Sequence, residues 1–292
     1  TSARPPRAGR RPPASRVTVD PGHVPGSRHD PPPPLREGGA IHAVLFDYGL
    51  TLVHFERPVE AIEAAREAIA GCIEEAGHPR PENAALRQSV HDRVEAEVTA
   101  HESSGALEEI DVAGLEKRAF ADIGLRLDAA LRDRCSALAQ EAWWNGVRLY
   151  PDAIDALRAL RGGGLRLGLC SNAAYRSASM HGQLHHTGLD TVIDSAVFSA
   201  EVGWRKPSPR LFAAALQALG ARAEHTVFVG DRMREDIVGA ASAGMRTVLV
   251  ARDESTAFAP RDGGPDAVIR SLAELPELLL ANTVVTIVGS EN

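Results

Sequence analysis

The groups able to do chemistry in this 292-residue chain gather where short apolar runs end. Asp47 follows AVLF, Ser171 and Asn172 follow LRLGLC, and Asp231 follows TVFVG, with Asp236 five residues further on. Lys206 stands in the loop RKPSP and is one of two lysines in the chain, the other being Lys117. An aspartate such as Asp47 can act as an oxygen nucleophile, splitting one difficult displacement into two easier ones through a covalent acyl phosphate or ester. Carboxylates gathered around it repel one another unless a hard cation joins them, and Mg2+ with oxygen ligands is the usual solution for phosphoryl substrates. Asp231 and Asp236 are then metal ligands or support them. Ser171, Asn172 and Lys206 supply hydroxyl, amide and ammonium donors to the oxygens of the transferring group, the largest catalytic contribution in phosphoryl transfer.

Taken singly, each residue has a plainer use. An Asp after a strand caps a helix or a turn, Ser171 and Asn172 cap a helix beginning near Tyr175, and the acids of GDRMRED favour a helix dipole. Their order and spacing are what those uses do not supply.

Positioning such a set requires a frame, and the apolar pattern provides one. Strands are expected at 42–46, 165–170, 192–198, 226–229, 246–250 and 267–269, alternating with helices at 152–162, 175–186, 208–219, 234–243 and 271–281. This alternation predicts an α/β fold with a Rossmann-like, mostly parallel sheet covered on both faces. In such a sheet, ligands sit in the crevice at the carboxyl ends of the strands, which is where the candidate residues fall. Residues 56–149 read as helix throughout, with Ile62, Ala65, Ile69 and Ile73 on one amphipathic face. This insertion directly after the Asp47 turn is placed to act as a lid.

The segments DYGLT (Asp47 to Thr51), SN (Ser171, Asn172), KP (Lys206, Pro207) and GDRMRED (Gly230 to Asp236) resemble the four motifs of the haloacid dehalogenase-like hydrolase superfamily. The resemblance runs from about Ile41 to Arg252, and the helical insertion matches that family's cap. It implies Asp47 as nucleophile, Ser171 and Lys206 as phosphate anchors, and Mg2+ held by Asp47, Gly49, Asp231 and Asp236. Thr51, Asn172 and Tyr48 are the implied substrate contacts. In the family, the residue two after the nucleophile binds the metal through its carbonyl and protonates the leaving group through its side chain. Gly49 keeps the carbonyl and lacks the acid, a function worth roughly 10²- to 10⁴-fold.

The reading that follows is a Mg2+-dependent phosphatase of a small phosphorylated metabolite. The resemblance leaves other readings open: a non-catalytic module binding a phosphorylated ligand or a protein, a dehalogenase expelling halide, and a phosphonate-cleaving enzyme using Lys117 for a Schiff base. His54 is a candidate replacement acid. Trp143, Trp144, Asn145 and Arg148, near the return to the core, are candidates for lining the closed cleft.

The domain boundaries expected are a core at 41–55 and 150–282, a cap at 56–149, a disordered Pro- and Arg-rich extension at 1–40 and a tail or edge strand at 283–292. Arg7, Arg10 and Arg11 cluster in the extension, yet the net charge of -7 argues against a general nucleic-acid binder. Cys72, Cys135 and Cys170 show no pairing pattern for a disulfide framework or zinc site, which favours a reducing cytoplasm. No apolar run approaches a membrane span and no secretory leader is evident, so no membrane partner is expected.

Overall fold

The computed structural model describes residues 40–252 and 264–280. The expectations for the extension and the final tail, Arg7, Arg10 and Arg11 included, lie outside the described residues.

Eight strands are present among the described residues: β1 Ala43–Phe46, β2 Val53–Phe55, β3 Val147–Leu149, β4 Arg166–Ser171, β5 Ser195–Phe198, β6 Thr226–Gly230, β7 Arg246–Val250 and β8 Ala267–Ile269. Six of them form one parallel sheet in the order β5-β4-β1-β6-β7-β8. Strands buried on both faces read as continuous apolar runs, which is why AVLF and TVFVG were legible. Side chains alternate between the faces. Val44, Phe46, Leu167, Leu169, Val227 and Val229 pack on one side with Leu157, Leu160 and Leu275. Ala43, Leu45, Cys170 and Phe228 pack on the other with Leu211, Phe212 and Ala215 of the Pro209–Leu219 helix.

Register brings the site together. Phe46 on the central strand β1 is level with Leu169 of β4 and Val229 of β6. One residue beyond Phe46 is Asp47; two beyond its neighbours are Ser171 and Asp231. All three therefore leave the same edge of the sheet.

The helical insertion is carried on a two-stranded antiparallel ribbon, in which Val53 pairs with Leu149 and Phe55 with Val147. The all-helical reading of 56–149 is corrected at its end, since Val147–Leu149 is strand, and the expected boundary at 55 and 150 divides this ribbon, with β2 on the core side and β3 on the cap side. Strands of three residues are too short to show a period of two. The two chain crossings touch at Gly146, where a Cβ would lie 1.9 Å from the Glu56 carbonyl oxygen, and the Glu56 N–H donates to the Gly146 carbonyl at 2.7 Å.

Between the ribbon strands, the helices Val59–Glu75, Asp92–Ser104, Val112–Asp122 and Ala129–Ala142 enclose a core of their own, including Ile69, Ile73, Leu86, Phe120 and Leu131. The Val59–Glu75 face divides. Ile69 and Ile73 enter this core, whereas Ile62 and Ala65 border a cavity above the sheet edge.

A second attachment lies at 105–111, where the Glu109 N–H donates to the Gly203 carbonyl at 3.0 Å and the Arg205 N–H to the Leu107 carbonyl at 2.7 Å. Arg205 places its Nη1 2.9 and 3.0 Å from the two Glu109 carboxylate oxygens and its Nη2 3.0 Å from Glu102. Both Arg205 and Glu109 are buried. Removing one partner of a buried pair is costly, and Glu109→Ala would leave the buried Arg205 only the partly exposed Glu102, so it is expected to cost about 3 kcal/mol, read from the urea midpoint. A loss under about 1 kcal/mol, the range of exposed pairs, would show that this pair does not hold the two parts together.

Candidate active site

Asp47 leaves β1 with its N–H donating to the Val229 carbonyl at 2.9 Å, which keeps the turn in line with β6. Its Oδ1 accepts from Ser171 Oγ at 3.0 Å and from Lys206 Nζ at 2.6 Å. The same ammonium donates to Asp236 Oδ1 at 2.6 Å, and Asp236 Oδ2 accepts the Arg232 N–H at 2.9 Å. Asp236 sits on a π-helical turn, Met233–Val238, directly after β6. That turn folds its carboxyl back over Gly230, where a Cβ would lie 2.5 Å from the Asp236 Cγ, so only glycine fits there.

Asn172 clamps the lysine backbone from both sides: its Oδ1 accepts the Lys206 N–H at 2.7 Å and its Nδ2 donates to the Lys206 carbonyl at 3.4 Å. It borders the cavity, but its amide groups are engaged by Lys206. Of the other residues expected to touch substrate, Tyr48 borders the cavity and Thr51 does not. Thr51 is fully buried and donates to Asp231 Oδ1 at 3.2 Å, so it orients that carboxylate. Tyr48 is 2% exposed, packs edge-on against Phe55 and has its hydroxyl sealed from solvent. Its ring belongs to the sheet core, and burial raises its phenol above the ordinary tyrosine value.

Oxygen atoms of Asp47, Asp231 and Asp236 lie within 4.8 Å of one another. Burial pushes the Asp236 carboxyl up to about 6 against the pull of Lys206, and burial together with the Asp47 charge raises Asp231. Burial pulls the Lys206 value down, but Asp236 and Asp47 outweigh it and raise it above that of an ordinary lysine, so the ammonium stays charged. Three carboxylates facing one ammonium leave an excess of negative charge carried by hard oxygen donors. That set fits a divalent cation such as Mg2+.

Above these groups is a cavity of about 460 Å3, within the usual range for small-molecule sites. Asp47, Gly49, Ser171, Lys206 and Asp236 form its floor; Ile62, Arg66, Val98, Trp143 and Trp144 belong to its cap wall. Asn145 and Arg148 are not among its lining residues. Asn145 donates to the Ala142 carbonyl and Arg148 lies on β3 beside Glu56. His54 also stays off the wall, 5.2 Å from the Tyr150 ring and beside Glu56. Lys117 is exposed on its helix and takes no part in the cavity, which removes the amine a Schiff base would need. Arg66, His91, Glu116 and Arg232 line the wall without having been singled out in the sequence. Arg66 did leave a signal, as a charge between Ile62 and Ile69 on an apolar helix face.

Comparison with known proteins identifies the family and the fold. The model for haloacid dehalogenase-like hydrolases matches residues 41–244. The glyceraldehyde 3-phosphate phosphatase of Methanopyrus kandleri is 31% identical over 247 residues, covering 82% of this chain and 97% of that one. Among solved structures, a HAD phosphatase from Thermococcus onnurineus aligns with a TM-score of 0.50 at 24% identity, over 82% of this chain and 98% of that one. A 2-haloacid dehalogenase from Pseudomonas syringae aligns with a TM-score of 0.57 at 24% identity, over 82% of this chain and 99% of that one. A phosphatase and a dehalogenase thus share the fold, and the fold alone does not choose between them. A parallel sheet with a helical cap, the motif residues meeting at one strand edge, and the family match over most of the chain establish one conclusion: this protein belongs to the haloacid dehalogenase-like hydrolases.

Proposed function

We propose that the protein is a Mg2+-dependent phosphatase of a small phosphorylated metabolite, with Asp47 as the nucleophile. The observation that carries this reading is Lys206, buried and bridging Asp47 and Asp236 at 2.6 Å each, inside a three-carboxylate cluster. A dehalogenase releasing halide has no use for such a cluster, because a metal-free site for an anionic substrate gains nothing from collecting acids.

In this reading an Asp47 carboxylate oxygen attacks phosphorus, the P–O bond to the leaving group breaks, and an aspartyl phosphate forms. Water then attacks that phosphorus, releasing inorganic phosphate and restoring the carboxylate. Ser171 Oγ and Lys206 Nζ donate to the phosphoryl oxygens, and Asn172 holds the lysine backbone so that Nζ keeps its aim. Thr51 fixes Asp231. Asp47, Asp231, Asp236 and the Gly49 carbonyl would hold Mg2+, which when bound supplies positive charge against the phosphoryl oxygens. The segment 56–149 acts as the cap that covers the site and excludes water.

Phosphate release from a panel of phosphorylated metabolites tests the reading. Chelation is expected to lower turnover by at least about 100-fold, since a metal offsetting phosphoryl charge contributes several kcal/mol, and added Mg2+ restores it. Halide release from 2-haloacids, unaffected by chelation and without any phosphatase activity, would overturn it. Silence across both panels would point to the non-catalytic reading.

A further inference from the structure

The inner face of the Val59–Glu75 helix carries Ile62, Ala65, Arg66, Ile69 and Ile73, and Arg66 is the one charge among them. Arginine is almost never buried without a partner. Arg66 is 4% exposed, and its ion-pair partner among the described residues is Glu63, whose own side chain is 59% exposed. The cavity wall does not answer its charge. Glu95 pairs with Arg57 at 3.6 Å, Glu102 with Arg205 at 3.0 Å, Glu235 with Arg234 at 3.8 Å, and Glu116 accepts from Ser136 at 2.9 Å. Asp92, also on the wall, is exposed and within ion-pair distance of no cation among the described residues. Burial and the neighbouring Arg66 charge hold His91 down at about 4, so at neutral pH it is an uncharged hydrogen-bonding group beside the guanidinium.

Four cationic side chains border the cavity; Arg57 pairs with Glu95 and Arg232 is exposed. The two buried ones are Lys206 on the floor, engaged by carboxylates, and Arg66 in the cap wall, paired only toward solvent. Both border the same space of about 460 Å3, and Ile62, Val94, Val98 and Trp143 share that wall. A phosphoryl group on Asp47 fills a small part of this volume, leaving a short carbon skeleton to reach toward the cap.

Resting on the phosphatase reading, we propose that Arg66 is a specificity-determining residue that receives a second anionic group of the substrate. The substrate class is then a small phosphomonoester bearing a carboxylate or a second phosphate at its far end. A guanidinium receives either through paired N–H donors, and its partial desolvation makes such a contact stronger than one at the surface.

The test uses matched pairs of phosphate esters. 3-Phosphoglycerate against glycerol 3-phosphate compares a carboxylate with a hydroxymethyl group; ribulose 1,5-bisphosphate against ribulose 5-phosphate compares a second phosphate with a hydroxyl. The protein is expected to prefer the more anionic member of at least one pair by about 10- to 100-fold in kcat/KM, mainly through KM. Which pair shows it identifies the group. In Arg66→Met that ratio falls to about one, and Arg66→Lys recovers part of it. The same pairs titrated calorimetrically into Asp47→Asn protein give the ratio as binding affinity, with Arg66→Met added to that background. Absence of preference in both pairs overturns the proposal, as does an Arg66→Met variant that loses both members by one factor and leaves the ratio intact, the mark of a purely structural arginine. If no ester is turned over, the phosphatase reading fails by itself, and the titration still decides the role of Arg66.

Discussion

Asp47→Asn is expected to lower phosphate release by on the order of 10⁴-fold or more while the protein stays folded. The substitution keeps the shape of the side chain, so its Oδ1 still accepts from Ser171 and Lys206. What disappears is the nucleophile, since an amide oxygen does not form the acyl phosphate. The electrostatic consequences run in the opposite direction from the loss of activity. The Asp47 charge is one cause holding the Asp231 and Asp236 carboxyls above their ordinary values. Removing it lets both titrate lower and lessens the crowding of like charge in a buried site. Stability at neutral pH should therefore be unchanged or higher, and denaturant unfolding checks that independently of activity. Acid quenching of the parent enzyme during turnover should trap phosphate on the protein, and the variant should trap none. A variant retaining activity within about tenfold of the parent would remove Asp47 from the covalent chemistry.

The part of the site that could be read from sequence is the part the sheet positions. β1, β4 and β6 are buried on both faces, so they appear as apolar runs, and the residue after each run lands at the carboxyl edge. Asp47, Ser171 and Asp231 needed only that regularity. Lys206 and Asp236 come from loop and turn geometry, and only their motif order made them visible. Thr51 lies on the expected turn but turns away from the cavity to Asp231. A turn does not alternate its side chains with a fixed period, so sequence position gives no direction there. The ribbon of β2 and β3 escaped because its strands of three residues pair across more than ninety intervening positions, from Phe55 to Val147. Arg205 stood next to Lys206 without being singled out, because its partners Glu102 and Glu109 come from a distant part of the chain. Non-local pairs of this kind leave no local pattern.

Gly49→Asp is expected to raise turnover of phosphate esters with poor leaving groups by roughly 10²- to 10⁴-fold, the value of a positioned general acid. The turn has room for the side chain. A Cβ on Gly49 would lie 3.2 Å from Phe55 Cε2 and 3.8 Å from Cζ, and Phe55 is a 47% exposed ring whose outer edge can give way by a few tenths of an ångström. Nor does the backbone demand glycine here: the left-handed residue of this turn is Leu50, with φ 61°, and Gly49 is not in that region. The new carboxyl would stand near the three already present, whose charge favours its protonated form. A protonated carboxyl is the state that can donate to a departing alkoxide. Phosphate release from a series of aryl and alkyl esters checks this. In the parent, log kcat should fall steeply as the leaving-group pKa rises, because nothing at position 49 protonates the departing oxygen. In Gly49→Asp the slope should flatten, with alkyl esters gaining most and p-nitrophenyl phosphate gaining little, since its leaving group departs without a proton. A slope already shallow in the parent would mean that a proton reaches the leaving group from the cap wall or from the substrate itself, and Gly49 would then mark a site rebuilt around that donor.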